Sequence, residues 1–153
     1  MQEFLHRHRY IALDTCLFIY QVEANPRYTP FTDEIFQWLQ QGNGMEITST
    51  LTMTELLVQP YREQDGRRVD QYYGLLSTFP SLEWKHLTLE TADLAAHFRA
   101  HYNLRTPDAI QAATAVEGKA TGFLTNDFSF ERVYVFETLV LDTLFQGGGP
   151  ILF

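Results

Sequence analysis

Residues 106–127 read TPDAIQAATAVEGKATGFLTND, and this stretch decides the fold. Thr106, Pro107 and Asp108 make a compact helix start, with threonine as N-cap, proline at the first helical position and an acid in the first turn. Ala109, Ala112, Ala113 and Val116 then recur at i, i+3, i+4 and i+7. Small side chains on that stripe let a helix lie close against a sheet. Gly118 ends the helix, and Gly122 to Thr125 form an apolar strand that stops at Asn126-Asp127. A helix followed at once by such a strand belongs to a βαβ unit and hence to a parallel sheet.

The upstream chain repeats this alternation. Tyr10 to Leu13 predicts a strand closing on Asp14-Thr15, followed by the helical LFIYQVE segment that Asn25-Pro26 breaks. Thr32 is placed to cap a second helix, with Ile35, Phe36 and Leu39 on its apolar face and Gly42 after it. Glu46 to Thr50 reads as a strand. A helix starts near Thr52 with Pro60 limiting its length, and Arg67 to Phe79 is amphipathic. Leu82 to Leu87 makes a third strand, and Thr88 caps a helix with Leu94, Phe98 and Tyr102 on one face. Val133 to Phe136 supplies a fifth, edge strand. The expected architecture is a three-layer α/β/α sandwich with a mainly parallel sheet of four to five strands, residues 1–153 forming one domain.

Four acids then stand out: Asp14, Glu55, Asp108 and Asp127. Asp14 and Asp127 close strands, while Glu55 and Asp108 open helical runs. A parallel sheet collects its strand C-termini and the adjoining helix starts along one edge, so acids far apart in sequence converge there. Each alone has an ordinary reading as a helix cap, a dipole partner or a turn residue. Together they form a carboxylate cluster that repels itself unless a cation enters, and hard oxygen ligands suit Mg²⁺ or Mn²⁺. Such ions activate water and stabilise the charge building on a phosphodiester. Thr15 and Asn126 are the polar neighbours of this cluster, and Arg105 is a cation near Asp108. His6 and His8 belong to an N-terminal arm, and His97 and His101 to an exposed helical pair. Neither pair is assigned a zinc ion.

Composition sets the remaining bounds. Apolar residues make up 45% and charged residues 20% of the 153, a globular balance rather than a disordered one. No apolar run nears the roughly 20 residues that span a bilayer. The start MQEFLHRHRY lacks the features of a secretory signal. A lone Cys16, read as a packing residue, fits a reducing cytoplasm. The net charge of −8 argues against tight binding to long duplex DNA. Arg7, Arg9, Arg62, Arg67 and Arg68 fall in two sequence clusters that offer a local basic rim.

Asp14 with Thr15, Glu55 within TMTELL, Asp108 within RTPDAIQAATA and Asp127 within LTND resemble the PIN-domain ribonucleases, and most closely the VapC-type toxins of toxin–antitoxin pairs. The resemblance spans about residues 10–136 and leaves the tail from Thr138 to Phe153 uncovered. It implies a PIN fold, an acidic pocket in which Asp14, Glu55, Asp108 and Asp127 bind Mg²⁺ or Mn²⁺, and hydrolysis of RNA. It also implies a homodimer or a complex with an antitoxin. Many relatives carry a further Asp two residues after the TND acid, where this chain has Ser129. A haloacid-dehalogenase-type phosphatase would need a second Asp at Cys16, and a receiver domain a lysine late in the sheet. The alternative of weight is a catalytically inactive PIN-like module that binds RNA or protein.

Overall fold

The computed structural model describes residues 1–146. Its centre is a five-stranded parallel sheet of order β3-β2-β1-β4-β5: β1 Tyr10–Leu13, β2 Met45–Ser49, β3 Leu82–Lys85, β4 Gly122–Thr125 and β5 Glu137–Val140. Every pairing is parallel, with Ile11 opposite both Glu46 and Gly122. The chain begins in the middle, builds outward through β2 to β3, then returns to the other side of β1. The β1–β4 seam is therefore the switch point, where crossovers leave in opposite directions and open a crevice at the strand ends.

Two apolar layers cover the sheet. Ile11, Leu13 and Leu124 face α2 (Thr15–Val22), α3 (Thr29–Gln40), α4 (Thr50–Arg62) and α5 (Gly66–Thr78), meeting Leu17, Phe18, Ile35, Leu39, Leu56 and Tyr72. Helix α1 (Gln2–Arg7) adds Phe4 and Leu5 to this layer. On the other face Ala12, Ile47 and Phe123 pack under α6 (Leu89–Tyr102) and α7 (Thr106–Glu117). The alanine stripe works as expected: Ala109, Ala112, Ala113 and Ala115 are buried. At the end of α7 a Cβ on Gly118 would stand 2.3 Å from Ile47 Cγ2, so only glycine permits that approach. No helix among the described residues is long and apolar enough to cross a membrane.

Several local expectations shift. The fifth strand is Glu137–Val140, not Val133–Phe136. Val133 and Phe136 are instead buried beneath the second layer, where they anchor the connection into β5. Helix α3 starts at Thr29, because Pro30 favours the first turn. Thr32 lies buried inside, its hydroxyl donating to Thr29 O at 3.3 Å. Thr106 is the first helical residue of α7 and Arg105 its N-cap, with no side-chain cap bond. Strand β3 ends at Lys85, two residues short of Leu87. The expected arm is helix α1, and His8 is buried after it, with ring nitrogens 2.8 Å from Thr121 Oγ1 and 2.7 Å from Glu137 Oε2. Of the tail, residues 138–146 form the rest of β5 and a 3-10 turn, Leu141–Phe145, whose Leu141 is fully buried. Residues 147–153, with the GGGP segment, lie outside the described residues.

Candidate active site

Asp14 stands at the switch point. Its backbone N–H donates to Leu124 O at 2.9 Å, the last bond across the β1–β4 seam. As N-cap of α2 its Oδ1 accepts from Thr15 N at 2.8 Å, and its Oδ2 accepts from Thr125 Oγ1 at 2.6 Å. Burial pushes its carboxyl up to about 6. Those two hydrogen bonds oppose the shift, while the charges of Asp108 and Glu55 add to it. That repulsion places three of the four acids near one another.

Thr125 is the link that sequence reasoning missed. While its hydroxyl donates to Asp14, it accepts from Asp127 N at 2.9 Å, so one side chain holds both strand-end acids. Asp127 caps the 3-10 turn Phe128–Arg132, its Oδ1 accepting from Ser129 N at 2.8 Å. Position 129 thus serves the cluster through its backbone, whatever its side chain.

Glu55 lies in the second turn of α4 rather than at its start. It reaches the crevice because Ser49 caps the helix at the end of β2, one strand from Asp14. Thr15 Oγ1 donates to Glu55 Oε1 at 3.0 Å. A second missed residue, Gln111, is buried in α7 with its amide nitrogen 3.0 Å from Thr52 Oγ1, 3.1 Å from Glu55 Oε1 and 3.4 Å from Thr15 Oγ1. Its two N–H groups serve the nearest two acceptors. A signal was available, since Gln111 follows Asp108 by three residues and shares its helix face.

Asp108 is buried in the first turn of α7, its Oδ2 3.0 Å from Arg105 Nε. The Arg105 side chain is 80% exposed, and its guanidinium is held further into the charged range by Asp108 first, then Asp127 and Glu55. It is the cation of the crevice. Asn126 points elsewhere: its amide nitrogen donates to the hydroxyls of Tyr20 at 3.2 Å and Tyr28 at 3.0 Å, and its oxygen accepts from Asp142 N at 2.9 Å. It braces the segment behind Asp127 against α2 and the C-terminal turn. Cys16 is half-buried against the first core layer. His97 and His101 are exposed.

The donor set fits a hard divalent cation. It consists of four carboxylates, each pinned through at least one oxygen by a neutral donor or by Arg105, with Asp14 held against its charge by burial. The acids line the crevice without closing on a point: among the described residues no three His, Cys, Asp or Glu side chains enclose an ion. Arg105 meanwhile holds Asp108 by one oxygen.

Fold and site together define an α/β domain with an acidic crevice at its switch point. The profile of the PIN domain matches residues 11–135, and the chain belongs to that family. Its fold is shared with VapBC2 from Rickettsia felis, solved bound to a DNA fragment from its promoter (TM-score 0.62, 16% identity, 85% of this chain and 97% of that chain covered). DNA-bound VapBC from Salmonella typhimurium is similar at TM-score 0.61 and 18% identity, covering 85% and 96%. VapC20 of Mycobacterium tuberculosis, a toxin that cleaves the sarcin–ricin loop, aligns at TM-score 0.61 and 13% identity over 74% and 86%. The search of curated proteins returns no match.

Proposed function

We propose that residues 1–153 form one PIN domain acting as an endoribonuclease that depends on Mg²⁺ or Mn²⁺ held by Asp14, Glu55, Asp108 and Asp127. The observation carrying this reading is the set of acids at the β1–β4 switch point, oriented by Thr15, Thr125 and Gln111. A bound divalent ion would supply Lewis-acid activation of water and of the phosphodiester. The chain's own contribution is orientation. Thr125 and Thr15 fix both oxygens of Asp14, and Thr15 with Gln111 fix one oxygen of Glu55, leaving Oε2 toward the crevice. Arg105 exchanges its bond to Asp108 for a phosphate oxygen of the substrate.

The shared fold with VapBC structures supports a toxin role in the cytoplasm, with a cognate antitoxin as partner. Self-association is assigned to the apolar face of α4 and α5, where exposed Val58, Tyr61 and Tyr73 border a hollow of about 390 Å³. Purified protein mixed with short structured RNAs is expected to cut at least one with Mg²⁺ or Mn²⁺ and none in EDTA. Cutting that persists in EDTA would refute metal dependence. RNA binding without cutting under either metal would instead favour the inactive binding module.

Gln111 gives an independent check. Leucine there keeps the volume and removes both donors, leaving Glu55 Oε1 held by Thr15 alone. Calorimetric titration with Mn²⁺ is expected to show roughly 10- to 100-fold weaker binding, the usual cost of losing a hydrogen bond behind a metal ligand. Unchanged affinity would remove Gln111 from the site.

A further inference from the structure

A chain of net charge −8 must still draw a polyanion to its acidic crevice, and an inventory of its cations shows where. Two of the clustered arginines are spent, while Arg9, Arg62 and Arg67 have no carboxylate within ion-pair distance among the described residues. Arg7 pairs with Glu137, and Arg68 with Glu23, Glu63 and Asp65. Arg27 and Lys85 are likewise held by Asp142 and Glu83. Arg99 and Arg132 differ. Arg99 donates to the hydroxyl of Thr106. Arg132 donates to two backbone carbonyls, Ser129 O at 3.1 Å and Tyr102 O at 3.2 Å. Among the described residues neither has a carboxylate within ion-pair distance. Their charges are oriented by neutral oxygens and remain uncompensated, apart from the exposed Glu131 nearby in sequence.

These two arginines flank the α6–α7 loop that carries Arg105 and leads into Asp108. Exposed aromatic rings lie beside them. Tyr134 is 84% exposed, touching Tyr102 edge-on at 6.5 Å between centroids, and Phe128, 48% exposed, directly follows Asp127. Guanidinium groups at intervals with free aromatic faces between them suit a single strand, whose phosphates meet the cations while unpaired bases stack. A paired duplex keeps its bases inside and gains only the charge contacts.

We propose that Arg99, Arg105, Arg132, Tyr134 and Phe128 form a track for single-stranded RNA that delivers an unpaired segment to the carboxylates. The choice of RNA rests on the nuclease reading of the crevice. The track itself is tested without turnover, by fluorescence anisotropy of a labelled oligoadenylate strand with the full chain in EDTA across a salt series. Replacing both Arg99→Gln and Arg132→Gln is expected to reduce the slope of log affinity against log salt by about 1.4, some 0.7 per cation for a single strand. Tyr134→Ala is expected to weaken the single strand roughly tenfold and to leave a duplex of equal length unaffected. Arg62→Gln with Arg67→Gln is the matched control, since those exposed arginines sit on α4 and α5 beside Glu63, Asp65 and Asp70.

All of these side chains are exposed, so the variants fold, and coincident far-UV spectra confirm it. An unchanged slope, an equal loss in the control pair, or no binding of the strand by the wild-type chain would overturn the track. A chain that cuts RNA with a KM indifferent to positions 99 and 132 would overturn the track and leave the nuclease standing. A chain that cuts nothing but binds with the expected slopes would support the track and sink the nuclease.

Discussion

Asparagine at position 14 is expected to lower RNA cleavage by about a thousandfold, some 4 kcal/mol of lost charge stabilisation in the transition state. The fold should survive, because the amide keeps the volume and its oxygen still accepts from Thr15 N. What disappears is the negative charge at the switch point. Stability should move the opposite way. The Asp14 carboxyl is raised to about 6 in the folded chain, chiefly by burial, above an unfolded value near 3.8. A group raised in this way stabilises the fold fully below its unfolded value and loses that contribution as pH rises through the folded one. Metal-free wild type and Asp14→Asn should therefore diverge between about pH 4 and pH 7. The variant becomes the more stable by on the order of 1–3 kcal/mol. Mn²⁺ should then raise the melting temperature of the wild type alone. Equal pH profiles would mean that Asp14 carries no frustrated charge, and retained cleavage would remove it from catalysis.

The second large effect is expected at Glu46, a residue with no part in the chemistry. It is fully buried on β2, beside the sheet centre, with Oε1 accepting from Leu13 N at 3.2 Å. Oε2 has no partner among the described residues. Burial drives its carboxyl well above the ordinary range, and the single N–H bond opposes that only in part. Glu46 is thus an acid whose charged form is disfavoured, joining β2 to the end of β1 next to Asp14. Alanine there leaves a cavity and an orphaned Leu13 N–H, costing about 3 kcal/mol. Glutamine preserves shape and acceptor and should be nearly neutral in acid. With a raised folded value, the wild type loses stability as pH climbs through that value, while Glu46→Gln does not. Denaturant melts across a pH series should show the glutamine variant gaining stability relative to the wild type as pH rises. A harmless alanine variant would contradict this packing role.

The strand ends and the helix start that carry the acids were legible because their signals are local. A strand that halts at Asp14 or Asp127, and a proline-led helix start at Asp108, need no knowledge of the rest of the chain. Glu55 was singled out as the opening of a helix, whereas it lies a full turn inside α4 and comes beside Thr15 through the pairing of β2 with β1. The hydrogen bonds that orient the acids were not legible. Thr125 meets Asp14 across 111 residues and Gln111 meets Thr15 across 96, distances that no window of sequence spans. Asn126 illustrates the converse: adjacent to Asp127 in sequence, it spends its amide on Tyr20, Tyr28 and the backbone of Asp142, none of them among the acids. Charge misled similarly. Within the conspicuous runs Arg7 is engaged by Glu137 and Arg68 by Glu23, Glu63 and Asp65, whereas Arg132 reaches the end of α6 beside the loop that carries Arg105 only in the folded chain. The fifth strand was misplaced because Val133 to Phe136 has β-prone composition, yet its buried side chains serve the second layer.

The order of the strands has a consequence for biosynthesis. Because β1 is central and pairs with β4, residues 10–13 emerge from the ribosome more than a hundred positions before the partner that completes their hydrogen bonding. Contacts so remote in sequence form late and slowly. Asp14 and Glu55 are synthesised well ahead of Asp108, Thr125 and Asp127, so an unfinished chain holds only half of the cluster and none of the bridge between strand ends. The crevice therefore assembles only once the C-terminal part of the chain, with β4 and its strand-end acid, has been made.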